Sequence, residues 1–183
     1  MRCTLCSGED MIIIRVERQE DEGSVRVVNE QAFGQPAEAD IVDRLRKSCP
    51  GLLSLVALDG DEVVGHILFS PAKIEGSPKM VDGMGLAPMA VLPARQCQGI
   101  GTHLVKQGIK MLRSRCCPYI IVLGHPGYYP RFGFERASLH GIASQWVGVP
   151  NEAFMILVLD QAAMESVSGV ARYRDEFDEA MQE

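Results

Sequence analysis

The sequence predicts a single α/β domain, and three observations lead to this fold class. Residues 83–113 form an apolar strand, a Gly-rich turn and an amphipathic helix in succession. Residues 53–58 and 62–69 are strand-like runs joined by an Asp-Gly turn, which is a strong hairpin signal. Residues 119–123 form a short, continuously apolar run that is typical of a buried strand. Strands and helices therefore alternate along the chain.

The elements before the Gly-rich turn follow from local patterns. Residues 12–16 are β-branched and predict a first strand, and residues 18–33 predict a helix that ends at Gly34. Residues 38–49 predict a second, shorter helix, which is followed by a Pro-Gly stop and then by the hairpin. Residues 71–81 are polar and contain Gly, Ser and Pro, so we expect a loop there.

The elements after the long helix are shorter. Residues 124–131 predict a compact turn or short helix, residues 132–136 another strand, and residues 152–159 the last strand of the core. Residues 161–183 form an acidic, weakly periodic extension that we expect to pack on the outside of the domain. Residues 1–11 have no periodic pattern and are expected to be a flexible leader.

The overall composition excludes several classes of protein. The 183 residues are 46% hydrophobic and 23% charged, which is ordinary for a globular domain. The formal charge of −6 argues against nucleic-acid binding, because no basic stripe is available, and it mildly favours cationic acceptors. No apolar run approaches the ~20 residues of a membrane span. We therefore expect a cytoplasmic protein without a membrane partner.

The six cysteines do not form a metal or disulfide framework. Cys3 and Cys6 make one Cys-x-x-Cys pair, and no second Cys or His pair stands at ligand spacing. Free thiols in a reducing cytoplasm are the simpler interpretation. The sequence therefore predicts no metal site.

The turn between the central strand and the long helix favours phosphate. A Gly-rich turn at a helix N-terminus presents free backbone N–H groups and a partial positive charge. Residues 96–101 read Gln-Cys-Gln-Gly-Ile-Gly, which lacks the Gly-Lys-Ser/Thr ending of a P-loop and the third glycine of a dinucleotide fingerprint. The ligand is therefore a phosphate compound of another kind.

Two segments carry a resemblance to a known family. The run Gln-x-x-Gly-x-Gly, directly after an apolar strand, resembles motif A of the GNAT superfamily of N-acetyltransferases. Residues 129–134, Tyr-Pro-Arg-Phe-Gly-Phe, are similar to the Tyr-x-x-x-Gly-Phe segment of that family. The longer run His-Pro-x-Tyr-Tyr-Pro-Arg-Phe-Gly-Phe, residues 125–134, looks like one bacterial subgroup of predicted acetyltransferases. The predicted element order matches the family over residues 12–159.

The resemblance implies a GNAT-like fold and a coenzyme. The fold would be a mixed, mostly antiparallel central sheet with helices on both faces, and residues 12–160 would form the acyl-CoA N-acyltransferase domain. Pro88 would mark the point where a splayed central strand pair admits the pantetheine arm of acetyl-CoA. The residues that the resemblance assigns to acetyl-CoA are Met89, Ala90, Val91, Gln96, Cys97, Gln98, Gly99, Ile100, Gly101, Thr102 and Tyr128.

The catalytic candidates follow the second matching segment. The resemblance makes Tyr129 the general acid that protonates the sulfur of coenzyme A, and a phenol suits this task because it is protonated at neutral pH. The segment is shortened by Pro126 and Gly127, so Tyr128 is the alternative acid. His125 is a candidate for the base that accepts the ammonium proton, or it forms a hydrogen bond within a turn.

Other polar residues have weaker claims. His66 is either a base or a histidine of the sheet, and His103 lies on the polar face of a helix. Glu30 and Glu38 offer carboxylates to an amine, or are solvated. Cys97 has no identifiable base partner, so direct transfer is favoured over an acyl-cysteine route.

The function predicted from the sequence is transfer of an acetyl group from acetyl-CoA to an amine of a small molecule or protein, by direct attack in a ternary complex. Acceptor contacts would come from residues 34–38, residues 71–81 and the last strands. Two alternatives stay open: transfer of a longer acyl group, and a non-catalytic acyl-CoA sensor. A homodimer is also left open.

Overall fold

The computed structural model describes residues 12–77 and 79–178. The predicted leader, with Cys3 and Cys6, lies outside the described residues. The strands are β1 (Ile13–Val16), β2 (Leu53–Asp59), β3 (Glu62–Ser77), β4 (Val81–Val91), β5 (Tyr119–Leu123), β6 (Glu135–Arg136), β7 (Ile142–Ser144), β8 (Phe154–Val158) and β9 (Ser168–Arg172). The helices are α1 (Glu22–Phe33), α2 (Ala37–Ser48), α3 (Ile100–Ser114) and the single turn α4 (Gln161–Met164).

One twisted sheet organises the described part of the chain. Its strands lie in the order β1-β2-β3-β4-β5-β8-β6, with β9 beside the second half of β3 and β7 beside β9. The β4–β5 and β7–β9 pairs are parallel, and the other pairs are antiparallel. The predicted mixed, mostly antiparallel sheet is therefore confirmed.

Helices cover both faces of this sheet. Successive residues of a strand point to opposite faces, so in β2 the side chain of Leu55 packs with α3 residues and that of Val56 packs with α1 and α2 residues. Ile100, Leu104 and other apolar residues of α3 form the core on one face. Apolar residues of α1 and α2, such as Val25, form the core on the other. The predicted layering is confirmed.

Helix α1 begins four residues later than predicted. Residues Gln19–Asp21 form a 3-10 turn in which the Asp21 carboxylate accepts hydrogen bonds from the Arg18 backbone N–H at 2.7 Å and from the Arg15 guanidinium at 2.6 and 2.8 Å. Arg15 also holds the pKa of the Asp21 carboxyl below its usual value. This local network ends the extended chain and delays the helix. Gly34, at φ +73°, ends α1 where predicted.

The predicted loop over residues 71–81 is wrong. Strand β3 continues to Ser77, and β4 begins at Val81. Ala72 and Ile74 alternate into the core with 2% and 0% exposure, which identifies a half-buried strand despite its polar neighbours. Along one edge of β3, pairing with β2 ends at Phe69 and pairing with β9 starts at Lys73. Pro71 lies in the interval between these two pairings, so its missing N–H removes no hydrogen bond to either strand.

Two predictions about the C-terminal half also need correction. The strand expected over residues 132–136 is reduced to Glu135–Arg136, because a 3-10 turn extends to Phe132 and Gly133 takes φ +91°. The described part of the extension, residues 161–178, does not simply pack on the outside. It contributes α4 and β9, and β9 adds to the edge of β3 and buries Ala171. Its backbone hydrogen bonds are satisfied by the sheet, as burial requires.

Candidate active site

The central strands separate in the middle of the sheet. Strands β4 and β5 pair only from Met84 with Ile120 to Leu86 with Val122, whereas β4 stays paired with β3 as far as Val91. Pro88 lies just beyond the last β4–β5 pair and has no N–H that would need a partner there. The predicted splay is therefore present, and it opens a cleft between the two strands.

The turn before α3 has the geometry of an anion site. The backbone N–H groups from Cys97 to Thr102 have no hydrogen-bond acceptor among the described residues. Cys97 at φ +60° and Gly99 at φ +84° fold the chain so that these groups precede and open the helix. The amide side chains of Gln96 and Gln98 donate back to the carbonyls of Val91, at 3.1 Å, and Ala94, at 3.2 Å. The turn is thus held rigid while its N–H groups stay free.

A cavity of about 560 Å³ lies on this turn. The Arg131 guanidinium sits over the Tyr128 ring, 4.5 Å from its centroid, and both residues line the cavity. Arg95 also lines it and forms an ion pair with Asp59. Free N–H groups, a helix N-terminus and two guanidinium groups make this cavity suitable for an anion.

A larger cavity of about 730 Å³ occupies the cleft between β4 and β5. Met89, Tyr128 and Arg131 line both cavities, so the two volumes share these walls. The remaining residues of the larger cavity come from α1, α2, the splayed strands, the segment after β5 and the C-terminal segment. They are Phe33, Glu38, Ile41, Leu86, Ala87, Pro88, Leu123, Gly124, His125, Gly127, Tyr129, Trp146, Tyr173 and Phe177.

Tyr129 opens the 3-10 turn Tyr129–Phe132, and its side chain reaches the larger cavity. The side chain is 7% exposed and packs edge-on against Tyr128 at 5.2 Å and against Phe134 at 5.6 Å between ring centroids. Burial raises the pKa of the Tyr129 phenol, and the nearby Tyr128 adds to the shift. The hydroxyl therefore stays protonated at neutral pH, and no hydrogen bond joins it to another described residue.

Tyr128 faces a different part of the site. A Cβ atom at Gly101 would lie 2.9 Å from the Tyr128 hydroxyl oxygen, so this hydroxyl stands over the first turn of α3. Its ring is half-buried between Arg131 and Phe132. This position is beside the anion cavity, whereas Tyr129 belongs to the cleft.

His125 is exposed at the mouth of the larger cavity. Its Nδ1 accepts a hydrogen bond from the Gly127 backbone N–H at 3.1 Å. In the neutral ring the proton therefore resides on Nε2. In that tautomer Nε2 donates a hydrogen bond and has no lone pair for an incoming proton.

The weaker candidates are dispersed. His66 is completely buried and hydrogen-bonded away from the cleft, and His103 is exposed on α3. Glu30 forms an ion pair with Arg26 at 2.9 Å, whereas Glu38 lines the larger cavity. Cys97 is exposed within the anion turn.

The predicted coenzyme residues mostly meet in the two cavities. Met89, Val91, Gln96, Cys97, Gly99, Ile100, Gly101, Thr102 and Tyr128 line the anion cavity. Ala90 and Gln98 line neither cavity. Ala90 is 3% exposed and packs in the core, and the Gln98 amide is turned onto the Ala94 carbonyl.

Sequence reasoning missed several lining residues, among them Arg131, Trp146, Tyr173 and Phe177. Arg131 stands inside the matched segment, but the pattern assigns no role to it. Trp146 is the single tryptophan of the chain, a signal that could have pointed to it. Tyr173 and Phe177 are four residues apart, an aromatic spacing within the segment that was expected to be an outer extension.

The described residues contain neither a candidate metal cluster nor a candidate membrane-spanning helix. Within residues 12–77 and 79–178, no group of three or more His, Cys, Asp or Glu residues is arranged to hold a metal ion. In the same residues, no helix has the length and apolar character needed to cross a bilayer.

The chain is similar to known acetyltransferases. Residues 22–134 match the model of the acetyltransferase (GNAT) family. The Escherichia coli (strain K12) protein YhbS, named as an uncharacterised N-acetyltransferase, is 33% identical over 167 residues, which cover 91% of this chain and 98% of YhbS. The E. coli protein YjhQ, named in the same way, is 42% identical over 120 residues, 64% of this chain and 66% of YjhQ.

Two solved structures have the same fold and hold a coenzyme. The crystal structure of E. coli YhbS in complex with CoA has a TM-score of 0.86, 31% identity and 96% coverage of each chain. A GNAT family acetyltransferase from Brucella melitensis in complex with acetyl-CoA has a TM-score of 0.75 and 36% identity, and covers 93% of this chain and 100% of its own.

Proposed function

The chain belongs to the GNAT family of acetyltransferases, and from this premise we propose how its own residues carry out acetyl transfer. The activity is acetyl-CoA-dependent N-acetylation. We assign direct attack of an acceptor amine on the thioester, in a ternary complex, with Tyr129 as the general acid. The observation that carries this assignment is a buried phenol in the cleft between β4 and β5, whose hydroxyl forms no hydrogen bond with another described residue.

The anion turn is the proposed site of the coenzyme diphosphate. Its unpaired N–H groups from Cys97 to Thr102 and the helix N-terminus supply the donors. Arg131 supplies positive charge at the wall shared by the two cavities. The pantetheine arm then follows the free edge of β4 past Met89 and Val91, toward the cleft that Tyr129 lines.

The proposed reaction balances in protons and electrons. The neutral amine nitrogen attacks the thioester carbon, and a backbone N–H of residues 89–91 stabilises the oxyanion that forms. Collapse of this intermediate breaks the carbon–sulfur bond and leaves a thiolate. Tyr129 gives its proton to the sulfur. The proton released by the amine nitrogen passes through water and restores the phenol.

We assign His125 a role as a hydrogen-bond donor at the mouth of the cleft. The Gly127 N–H occupies Nδ1, and this supports a neutral ring with its proton on Nε2. Such a ring orients a water or the acceptor. Proton uptake at this histidine would require the Nδ1 hydrogen bond to break.

We also propose a cytoplasmic location and membership of the bacterial subgroup with the His-Pro-x-Tyr-Tyr-Pro-Arg-Phe-Gly-Phe segment. The bacterial relatives and the free thiols of Cys49, Cys97, Cys116 and Cys117 support the location. Residues 125–134 and the short 3-10 turn that they form support the subgroup.

The experiment that tests the acid assignment is replacement of Tyr129 by Phe. This change keeps the ring that packs against Tyr128 and Phe134 and removes only the proton donor. We expect turnover to fall by a factor on the order of 10²–10⁴ if proton transfer is limiting, while calorimetry shows unchanged acetyl-CoA affinity. Coenzyme A release with a panel of amines measures turnover.

Tyr128→Phe is the matched comparison, because it removes the same group one residue away. Its hydroxyl stands over the anion turn, so we expect a change in coenzyme affinity rather than in the chemical step. Full activity of Tyr129→Phe together with loss of activity in Tyr128→Phe would reverse the assignment.

A further inference from the structure

Three aromatic side chains in contact with one another line the larger cavity. We call Trp146, Tyr173 and Phe177 the aromatic wall. The Trp146 and Tyr173 rings are stacked, with centroids 5.3 Å apart and an interplanar angle of 23°, and Phe177 meets Tyr173 edge-on at 5.4 Å. All three line the larger cavity, and none lines the anion cavity. The wall therefore faces the part of the cleft that lies away from the coenzyme diphosphate.

Hydrogen bonds fix this wall in place. The Asp178 carboxylate accepts from the Trp146 indole N–H at 2.9 Å and from the Gln145 amide at 2.7 Å. The side-chain Oε1 of Gln145 accepts a hydrogen bond from the Tyr173 backbone N–H at 2.6 Å. A wall that is already rigid does not have to be ordered when a ligand binds, so a flat group can stack or pack there at low entropic cost.

The hydroxyl of Tyr173 is a polar group without a hydrogen-bond partner. The Tyr173 side chain is only 6% exposed, and its hydroxyl meets the geometry of a hydrogen bond with no described residue. Burial raises the pKa of this phenol, and the nearby backbone of Leu123, which does not reach hydrogen-bond geometry with the hydroxyl, opposes the rise only in part. A buried polar group without a partner is costly, and it therefore points to a ligand group that is absent from the free protein. The Tyr173 side chain lines the larger cavity, so we assign that group to the molecule that enters the cleft, which would reach the hydroxyl after a small shift of the ring.

Glu38 gives the cavity a preferred charge. It lies in the first turn of α2, and among the described residues that line the larger cavity it is the only acid. The Gln35 amide lies 3.2 and 3.3 Å from its two carboxylate oxygens and orients it. Arg131 also lines this cavity, but we assign its charge to the coenzyme diphosphate, so Glu38 is left to attract an ammonium group and to repel a second carboxylate.

We propose that the acceptor is a primary amine on a flat, apolar body, without a carboxylate beside the nitrogen. This inference rests on the proposed function and specifies its substrate class. The apolar body packs on the aromatic wall, and Glu38 draws in the cationic amine. The ammonium group releases one proton to solvent water before it attacks, and the Tyr173 hydroxyl accepts a hydrogen bond from the nitrogen. A longer acyl chain would fill the cavity but would offer nothing to Glu38 or to the Tyr173 hydroxyl.

The test compares amines that differ in one group. With acetyl-CoA as donor, coenzyme A release is measured for 2-phenylethylamine, for phenylalanine, which adds a carboxylate, and for ethanolamine, which lacks the apolar body. We expect kcat/KM for 2-phenylethylamine to exceed both others by about tenfold or more. Ethanolamine lacks the phenyl ring, whose burial favours binding by this order, and phenylalanine keeps the ring but brings a second carboxylate toward Glu38.

Three variants connect the preference to the cavity. Trp146→Ala should raise the KM for 2-phenylethylamine about tenfold and leave acetyl-CoA affinity unchanged. Tyr173→Phe should raise the same KM with no loss of thermal stability, because it deletes a buried hydroxyl that has no partner. Glu38→Gln should reduce the ratio of kcat/KM for 2-phenylethylamine to kcat/KM for phenylalanine. Val147→Ala is the control, since Val147 is the neighbour of Trp146 and is fully exposed.

The outcomes separate this inference from the function on which it rests. If the wild-type protein does not bind acetyl-CoA in calorimetry, the proposed function fails. If acetyl-CoA binds and phenylalanine or ethanolamine is acetylated as well as 2-phenylethylamine, only the substrate class is wrong. If Trp146→Ala instead lowers activity with hexanoyl-CoA more than activity with acetyl-CoA, the wall binds a longer acyl chain and the inference is overturned.

Discussion

At the scale of single residues, His66 is the clearest case of a buried titratable group outside the cleft. The Asn29 amide donates to its Nδ1 at 3.0 Å, and its Nε2 lies 2.9 Å from the Ser54 hydroxyl. Ser54 in turn donates to Glu17, which is paired with Arg46. All these bonds can form at once when His66 is neutral with its proton on Nε2. This histidine is therefore a structural residue rather than a base.

This arrangement predicts a pH-dependent stability. Burial, and to a lesser degree Arg46, lowers the pKa of His66 to about 3. Below pH ~6.5 the unfolded chain binds a proton at this histidine that the folded chain does not, so the unfolding free energy should fall by roughly 1.4 kcal/mol per pH unit as the pH drops toward 3. Chemical denaturation at a series of pH values measures this slope.

A matched variant isolates the contribution of this histidine from the titration of carboxylates. His66→Gln should be less stable than the wild type at neutral pH, and the difference should shrink as the pH falls through 6.5 toward 3. His103→Gln, at an exposed position of α3, should differ little from the wild type at any pH. A constant difference between His66→Gln and the wild type would contradict a neutral His66.

At the scale of elements, the turn and α3 form the unit that we propose to bind the coenzyme diphosphate through its backbone N–H groups. Gly101→Glu adds a negative charge to the first turn of the helix, and its Cβ would stand 2.9 Å from the Tyr128 hydroxyl oxygen. We expect acetyl-CoA affinity to fall by at least about tenfold, because the charge opposes the diphosphate near unpaired N–H groups. Calorimetric titration gives the affinity.

Gly23→Glu is the control for this change. Gly23 lies in α1, and no atom lies within 4 Å of the position that a Cβ would take there, so the same side chain points to solvent. Its acetyl-CoA affinity should equal that of the wild type. If a folded Gly101→Glu variant also binds normally, the diphosphate does not bind at this turn.

The same elements show what sequence can and cannot predict. The turn and α3 are predictable because a strand, glycines and a four-residue apolar repeat are all local signals. The second half of β3 was missed because its strand character depends on distant partners, β4 on one side and β9 on the other. A short local motif is enough to predict Tyr129 as a site residue, and that prediction stays open. Trp146 reaches the cavity through a loop held by Asp178, which is 32 positions away.

At the scale of the whole molecule, the C-terminal segment is part of both the sheet and the cavity. Truncation after Asp160 would remove β9 from the edge of β3, together with Tyr173 and Phe177. The truncated chain would expose unpaired strand edges and apolar surface. We expect it to lose its cooperative thermal transition or to melt at least about 10 °C lower, since a few kcal/mol shift Tm by this order in a domain of this size.

Thermal unfolding followed by circular dichroism measures the effect of the truncation. A chain that ends at Asp178 is the control, because it keeps every described residue. Equal melting of the chains that end at 160 and 178 would support a separate extension, as the sequence alone suggested. Two features of this segment concealed its role in the sheet. Its composition is acidic, and its strand β9 has only five residues and pairs with a strand about ninety residues earlier.

The most direct test of the central claim, that acetyl transfer takes place in the cleft between β4 and β5 with Tyr129 as the acid, is a crystal structure of this protein with coenzyme A. We predict the sulfur within about 3.5 Å of the Tyr129 hydroxyl and the diphosphate oxygens at hydrogen-bond distance from the N–H groups of residues 97–102. A sulfur bound at the Tyr128 hydroxyl, or a diphosphate away from this turn, would contradict the claim.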